Sequence, residues 1–229
     1  AAQIVEEVQT LTLKNLPDYY GLSPQEIQIL CPMRKYEVGV ENMNQKLQSR
    51  LNPKTSNKPE HVRGDVVFRK GDKVMQIKNN YQREWKIYGA SKTGNGKGYV
   101  IDEGVGVFNG DMGVITEISD YDEELTILFD DGRESVYNYK ELDQLEHAFA
   151  VTIHKSQGSE YPAVIIPLLG GNRKLMNRNL IYTAITRARQ LVIIVGDVNL
   201  VNQMIDNSEE QKRYTSLAFR IEELNESME

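Results

Sequence analysis

The sequence has few of the residues that build disulfide scaffolds and metal sites. Its 229 residues include one cysteine, Cys31, and three scattered histidines, which excludes a disulfide framework and a cysteine-based zinc site and predicts no metal centre. The longest apolar runs, such as residues 163–170, are far below the roughly 20 residues that span a bilayer. The composition therefore predicts a cytoplasmic protein that has no membrane partner.

The start of the chain shows no targeting signal. Residues 1–10 alternate polar and apolar side chains in the manner of a surface helix, without the apolar core of a signal peptide. The first residue is alanine rather than methionine. We therefore expect the chain to be a piece of a longer protein.

Net charge alone argues against a polyanionic ligand, but its distribution reopens that question. The chain carries 27 Lys+Arg against 33 Asp+Glu, a net charge of −6. Residues 33–97 hold 15 basic and 6 acidic side chains, and residues 154–190 hold 6 against 1, whereas residues 119–146 hold 2 against 10. Two interpretations stay open: ordinary surface variation, or two basic segments that meet on nucleic acid.

Apolar patterning divides the chain into an α/β protein with an all-β insertion. Helical and buried-strand patterns at both ends predict one parallel-sheet domain from residues 1–65 and 147–229. Short alternating strands with tight turns predict a β-barrel over residues 66–146. The predicted helices are 2–16, 39–51, 176–188 and 211–226, the strands are 26–31, 72–77, 112–118, 125–129, 135–139, 163–167 and 191–195, and the predicted loops are 55–63 and 91–98.

The glycine-rich loop 91–98 does not form a phosphate-binding P-loop. That motif needs a glycine, four residues, and then Gly-Lys followed by Ser or Thr. Here Ser91 stands in place of the first glycine, and Gly98 follows Gly96-Lys97. The chain therefore lacks a Walker A motif and cannot cradle a nucleotide by itself.

The segment VTIHKSQGSEY, residues 151–161, concentrates hydroxyl side chains, a lysine and a glycine after an apolar run. Free backbone N–H groups at a strand-to-helix junction attract anions. Thr152 and Ser156 are four residues apart, so one helical turn would place both hydroxyls on one face, suited to a DNA phosphate. The alternative is an N-capped helix whose lysine is only solvated.

The segment NLIYTAITRAR, residues 179–189, ends in Arg187 and Arg189. An arginine at a helix C-terminus can simply compensate the helix dipole. The alternative is a planar, permanently charged fork that is presented to a phosphate between domains.

At these two segments the sequence resembles a known family. VTIHKSQGSEY resembles motif V, and NLIYTAITRAR with LVIIVGD resembles motif VI, of RecD-like superfamily 1 DNA helicases of the exodeoxyribonuclease V alpha subunit type. CPMRKYEVGVENMNQKLQ, GDKVMQIKNNY and VFNGDMGVI are similar to further segments of that family, in the same order, over roughly residues 27–200.

The resemblance implies a RecA-like motor domain of the P-loop NTPase type with an inserted SH3-like barrel. It implies that ATP with Mg²⁺ lies between this domain and an N-terminal RecA-like domain that carries Walker A. The implied partners are single-stranded DNA, junctions of single- and double-stranded DNA, and possible subunits of a recombination complex. The implied activity is 5′-to-3′ helicase action in DNA repair and recombination.

The resemblance also assigns roles to individual residues. Arg187 matches the arginine finger and is the expected catalytic residue. Residues expected near the nucleotide are Arg34, Gly158, Glu160 and Arg187, with Arg34 a candidate for DNA as well. Residues expected at DNA are Thr152, His154, Lys155, Ser156, Gln157, Asn79, Asn80 and Tyr81.

Two other function classes remain to be distinguished. A stand-alone nucleic-acid- or protein-binding module needs only the barrel and the basic segments, and it has no use for an arginine finger. A nuclease is disfavoured because no cluster of Asp, Glu and His suited to two metal ions is visible in the sequence. The chain alone is predicted to lack ATPase activity.

Overall fold

The computed structural model describes residues 1–90, 98–171 and 175–208, and isolated positions beyond residue 215. Residues 91–97 of the predicted loop and most of the predicted helix 211–226 lie outside the described residues. Across the described part of the chain, no helix is long and apolar enough to cross a membrane.

The described residues form α-helices, short helical turns and strands, and the strands belong to a parallel sheet, an antiparallel sheet and a two-stranded hairpin. The α-helices are α1 (Ala2–Thr10), α2 (Leu16–Tyr20), α3 (Val40–Leu51), α4 (Arg178–Ile185) and α5 (Val198–Asp206), with a π turn at Leu11–Asn15 and 3₁₀ turns at Pro24–Glu26, Tyr139–Gln144 and Ile153–Ser156. The strands are β1 (Ile27–Cys31), β2 (Glu60–Arg63), β3 (Val66–Arg69), β4 (Lys73–Gln76), β5 (Asn80–Tyr88), β6 (Val100–Val107), β7 (Met112–Ser119), β8 (Glu124–Phe129), β9 (Glu134–Asn138), β10 (Leu145–His147), β11 (Ala150–Thr152), β12 (Tyr161–Leu168) and β13 (Ala188–Gly196).

Both ends of the chain build one parallel sheet, in the order β11-β1-β12-β13. Strand β1 reads IQILC and is buried along its whole length, as expected for a parallel strand covered on both faces. Helices α1 and α3 pack on one face through Val8, Met43 and Leu47. Helices α4 and α5 cover the other face with Leu180 and Met204.

The middle of the chain forms a seven-stranded antiparallel sheet in the order β10-β4-β7-β8-β9-β5-β6. Its separate core contains Phe68, Ile115, Ile127 and Tyr137. The predicted fold class, a parallel α/β domain with an inserted all-β domain, is confirmed.

In the barrel region one local prediction is wrong, and one hairpin was not predicted. The loop predicted over residues 55–63 ends in β2, which pairs with β3 in a hairpin. The long hairpin of β5 and β6 has no counterpart among the predicted strands. Strand β6 is exposed over most of its length, so it shows no alternation between a buried and an exposed face that would reveal it.

The domain boundary expected at 65/66 lies between two strands that pair with each other, whereas the one expected at 146/147 lies next to a change of strand partner. The first lies in the turn of the β2–β3 hairpin. Near the second, His147 still pairs with β4 in the barrel sheet, whereas Ala150 already pairs with β1 in the parallel sheet. The chain thus passes from one sheet to the other across only residues 148 and 149.

This crossing is clamped by two buried side-chain amides of the parallel-sheet domain. Asn44 Nδ2 donates to the His147 and Ala150 carbonyls at 3.0 and 2.9 Å, and its Oδ1 accepts the Ala150 N–H at 2.8 Å. Gln28 Nε2 donates to the carbonyls of residues 148 and 149 at 3.2 and 3.3 Å. The backbone between the sheets is therefore hydrogen-bonded although it belongs to neither of them.

A fully buried carboxylate, Asp72, joins the barrel to helix α3, the helix that carries Asn44. Gln48 Nε2 of α3 and Nδ2 of Asn52, the residue that caps the end of α3, each donate to it at 2.6 Å. The Arg69 backbone N–H donates at 2.7 Å, and His147 Nε2 lies 3.1 Å away. A buried carboxylate is tolerated only when its lone pairs are satisfied in this way.

The next residue, Lys73, makes a second polar contact between the domains. Its Nζ donates to the Gln25 carbonyl and to Gln28 Oε1, both at 3.0 Å, at the floor of a cleft of about 530 Å³ between the barrel and the parallel-sheet domain. Burial lowers the pKa of Lys73 to about 8, and the nearby Asp130 carboxylate opposes that shift. The ammonium group is therefore held at an energetic cost.

We expect Asp72→Ala to destabilise the protein by about 3 kcal/mol or more, since it leaves buried donors of α3 and β3 without an acceptor. Urea-induced unfolding followed by circular dichroism measures the change in the free energy of unfolding. Asp65→Ala, in the exposed hairpin turn, is the matched control and should stay within about 0.5 kcal/mol of the wild type. Equal stability of the two variants would contradict the structural role of Asp72.

Titration of Lys73 should make stability rise with pH above neutrality. Between the folded pKa of about 8 and the ordinary lysine pKa of 10.5, the unfolded chain binds more protons than the folded chain, so the free energy of unfolding increases with pH. We expect the wild type to gain stability relative to Lys73→Met between about pH 7.5 and 10. Lys70→Met, at an exposed neighbouring position, should show no such trend, and a pH-independent difference for Lys73→Met would refute the prediction.

Candidate functional site

Residues 152–160 connect two opposite sides of the parallel sheet. One side holds the carboxyl ends of the strands and is called the carboxyl edge; the other holds their amino ends and is called the amino edge. Thr152 ends β11 at the carboxyl edge, and Tyr161 begins β12 at the amino edge. All four strands point the same way, so these are opposite ends of the sheet. At about 3.3 Å per residue, the five residues of β1 alone separate the two edges by about 15 Å.

At the carboxyl edge the structure brings Arg34, Thr152 and Lys155 together. Arg34 follows β1, and its guanidinium donates to both carboxylate oxygens of Glu146 at 2.8 and 3.2 Å. Lys155 Nζ lies 3.7 Å from the same carboxylate. Two cations from separate segments thus meet at one point, and the partly exposed Thr152 lies three residues before Lys155.

The prediction that the hydroxyls of Thr152 and Ser156 lie on one face of a helix is wrong. The chain forms a four-residue 3₁₀ turn here rather than an α-helix. Ser156 is fully buried, and its hydroxyl donates to the Ile153 carbonyl at 2.7 Å. Thr152 instead caps the turn by accepting the Lys155 N–H at 3.3 Å. Ser156 therefore stabilises the turn and is not available to a DNA phosphate in this structure.

The exposed positions of the segment are His154, Gln157, Gly158 and Glu160. Gly158 has a φ of +88°, a left-handed conformation that favours glycine. A β-carbon there would meet no atom within 4 Å, so backbone conformation rather than crowding selects glycine. The Glu160 carboxylate accepts Arg189 Nε at 3.0 Å, and both side chains are exposed.

At the amino edge, Arg187 lies against the same segment. Its Nη1 donates to the Ser159 carbonyl at 3.0 Å and its Nε to the Thr183 carbonyl at 3.3 Å. Among the residues that the structure describes, no carboxylate lies within salt-bridge distance of this guanidinium. Neutral carbonyls orient the charge without neutralising it, so it remains able to attract an anion.

The helix that presents Arg187 is shorter than predicted. Helix α4 ends at Ile185, and β13 begins at Ala188, so Arg187 stands in the link between them and Arg189 lies in the strand. The Arg187 carbonyl accepts the Tyr161 N–H at 2.8 Å. This bond fixes the link to the start of β12, which no helical periodicity could reveal.

The expectation that Arg34 lies with the other nucleotide residues is not met. Arg34 is at the carboxyl edge, whereas Gly158, Glu160 and Arg187 are at or near the amino edge. The parallel direction of β1 and β12 sets this separation. Arg34 therefore lies with Lys155 and Glu146 and not with Arg187.

Three barrel residues were expected at DNA. Asn79 lies in the link between β4 and β5, and Asn80 and Tyr81 begin β5. Asn79 Oδ1 accepts the Asn109 N–H at 2.9 Å, and Asn80 Nδ2 donates to Gln144 Oε1 at 3.0 Å. Both amides therefore hold the loop itself. Tyr81 is 68% exposed and packs edge-on against Phe108, with ring centroids 5.6 Å apart.

Glu146 and Phe108 were missed by sequence reasoning. Phe108 lies in the segment VFNGDMGVI, so its position between a strand and a turn was the available signal. Glu146 gave no signal, because it is one of ten acidic residues in its region and its partner Arg34 is 112 residues away.

Known sequence families match both domains. Residues 43–129 match the ATP-dependent RecD-like DNA helicase SH3 domain, and residues 147–195 match the UvrD-like helicase C-terminal domain. The second range contains the segment 152–160 and Arg187. The resemblance stated from the motifs is therefore confirmed.

Individual relatives agree with these families. The ATP-dependent RecD2 DNA helicase of Deinococcus radiodurans is 31% identical over 199 residues, which cover 86% of this chain and 24% of that protein. The RecBCD enzyme subunit RecD of Buchnera aphidicola is 28% identical over 185 residues, 80% of this chain and 27% of that protein. The chain spans about a quarter of the length of these curated relatives.

Among solved structures, a Pif1 helicase from Bacteroides in complex with ADP-AlF3 and single-stranded DNA is similar with a TM-score of 0.48. Its sequence is 16% identical, and the match covers 99% of this chain and 51% of that chain.

Proposed function

We propose that this chain is the second motor domain of an ATP-dependent DNA helicase of the RecD-like family, since residues 43–129 match a RecD-like helicase SH3 domain and residues 147–195 match a UvrD-like helicase C-terminal domain. The observation that carries the proposal is the position of Arg187. Its guanidinium has no carboxylate partner among the described residues and donates to the Ser159 carbonyl. Ser159 belongs to the segment 152–160, whose other end lies at the carboxyl edge. One segment therefore connects a free cation to a group of DNA-suited residues.

The amino edge would supply this domain's share of an ATP site. Arg187 would offset negative charge on the transferring phosphoryl group, a role worth on the order of 10³–10⁵ in rate. Gly158 would allow the backbone to approach the nucleotide closely, and Glu160 would offer an acceptor to a ribose hydroxyl. ATP with Mg²⁺, when bound, supplies the phosphoryl transfer that drives the cycle, and an N-terminal RecA-like domain would contribute the main phosphate cradle.

The carboxyl edge would grip the backbone of single-stranded DNA. Lys155 and Arg34 supply positive charge, and Thr152 and the exposed His154 supply polar contacts. Tyr81 would add a stacking surface from the barrel, beside Asn79 and Asn80, because an exposed aromatic ring accepts any base. Such a grip is independent of sequence and weakens with salt.

Residues 152–160 would couple the two edges. Their ends are fixed by β11 and β12, and Gln157 is exposed between them. A small displacement of Ser159 against Arg187 would therefore reach Lys155 through the 3₁₀ turn rather than through the sheet. Alternation between two affinities for DNA is what translocation requires, and we infer 5′-to-3′ movement from the family resemblance.

The wider setting follows from the named relatives. The RecD subunit belongs to an enzyme named RecBCD, and we propose a role in DNA repair and recombination at junctions of single- and double-stranded DNA. Other subunits of a recombination complex are possible partners.

Arg187→Ala should abolish ATP turnover in a polypeptide that joins this chain to its ATP-binding domain. We expect kcat to fall by about 10³-fold or more, because the phosphoryl charge loses its partner, while affinity for oligo-dT stays within about twofold. Arg187→Lys should rescue little, since it lacks the fork. Arg50→Ala, an exposed arginine of α3, is the control.

The outcome of that assay separates the two function classes. Normal ATPase activity in Arg187→Ala would favour the stand-alone binding module over the motor. The 229-residue chain alone should hydrolyse no ATP in a single-turnover assay, and hydrolysis by it would contradict the shared site.

Lys155→Ala should weaken binding of fluorescein-labelled oligo-dT to the chain severalfold at low salt. Loss of one phosphate contact should also reduce the slope of log K against log salt by about 0.7. Lys46→Ala, an exposed lysine on α3, removes the same charge and should change the slope little. Fluorescence anisotropy at several salt concentrations measures both quantities, and identical slopes for the two variants would contradict the grip.

A further inference from the structure

The two cations of the carboxyl edge are held by a carboxylate from the other domain. Glu146 belongs to β10 of the barrel sheet, whereas Arg34 and Lys155 belong to the parallel-sheet domain. Arg34 makes a two-pronged contact with the carboxylate at 2.8 and 3.2 Å, and Lys155 Nζ lies 3.7 Å away. About a third of the Glu146 side chain is exposed, so solvent reaches the pair from one side.

The charges at this point nearly cancel. Glu41 lies 3.8 Å from Arg34 Nε and adds a second, more exposed carboxylate. Partial burial would raise the pKa of Glu146, but the hydrogen bonds from Arg34 and the charge of Lys155 outweigh burial, so its pKa is lowered. Glu146 is therefore ionised at neutral pH and competes for the same donors as any arriving anion.

A carboxylate and a phosphate present the same pattern to a guanidinium. Each offers two oxygens that match the parallel N–H groups of arginine, and each can take a lysine ammonium at one oxygen. Two such anions cannot occupy the same pair of N–H groups, so a phosphate bound there must replace the carboxylate.

We propose that Glu146 is an internal stand-in for a DNA phosphate, which occupies the grip of Arg34 and Lys155 until the DNA backbone displaces it. The inference rests on the proposed DNA grip and adds a residue that opposes it. Glu146 stabilises the two cations in a DNA-ready arrangement and at the same time lowers the net affinity for DNA.

The displacement is a local event. The backbone next to Glu146 is fixed, because the His147 carbonyl accepts Asn44 Nδ2 at 3.0 Å. The carboxylate can therefore leave by side-chain rotation toward solvent without opening the junction of the two domains. A partly exposed ion pair contributes little net stability, so the competition should be modest.

Binding of fluorescein-labelled oligo-dT to the 229-residue chain tests the proposal by anisotropy over a range of salt concentrations. Glu146→Gln keeps the size of the side chain and removes its charge. We expect it to bind about 3- to 10-fold more tightly than the wild type at low salt, with a steeper salt dependence. Glu103→Gln also removes a carboxylate that pairs with a lysine, Lys86 at 3.8 Å, and should change affinity less than twofold.

A double-mutant cycle locates the effect. In an Arg34→Ala background the gain from Glu146→Gln should shrink to less than half, because one of the two released cations is missing. Weaker or unchanged binding by Glu146→Gln, or an equal gain without Arg34, would overturn the proposal, and thermal unfolding shows that each variant is folded.

The cycle also separates this inference from the DNA grip itself. If Arg34→Ala and Lys155→Ala weaken binding but Glu146→Gln does not strengthen it, the grip stands and the stand-in fails. If the folded wild type and all variants fail to bind oligo-dT, the grip fails and the inference falls with it.

Discussion

The position of the whole site depends on a row of amides along helix α3. Asn44 and Gln48 are four residues apart and lie on one face of the helix, and Asn52 follows as the residue that caps its end. The first clamps the passage from β10 to β11, and the other two bind the buried carboxylate of Asp72. Because β11 leads directly into residues 152–160, this polar face determines where the barrel ends and where the functional segment begins.

A parallel sheet then converts that anchoring into two separate chemical surfaces. The segment 152–160 has one end at the carboxyl edge and the other at the amino edge, where the Ser159 carbonyl accepts Arg187. An antiparallel arrangement of β11 and β12 would have returned both ends to the same edge. Strand direction, rather than the motif residues themselves, therefore keeps the DNA-suited and phosphate-suited groups apart while leaving them on one short piece of chain.

The sequence predicts well where local periodicity and burial agree. Strand β1 and helix α3 follow from IQILC and from the spacing of Met43 and Leu47, and the turn signals around β7 and β8 place those strands. The direction of Ser156 could not be predicted, because a 3₁₀ turn and an α-helix share the same short pattern but point the fourth side chain differently. The end of α4 was also hidden, since no glycine or proline follows it and the bond from Tyr161 to the Arg187 carbonyl joins residues that are distant in sequence.

The sequence also could not reveal contacts between residues that are distant in the chain. Arg34 and Glu146 are separated by 112 residues, and nothing in either neighbourhood marks the other. Gln28 of β1 donates to the carbonyls of residues 148 and 149, which follow β10, so the contact is a consequence of topology. A carboxylate at that place pairs with Arg34 and Lys155 and thereby competes with any polyanion for the same cations. Under the proposed function such a carboxylate would help DNA to be released, because a grip that binds equally tightly in every state cannot move.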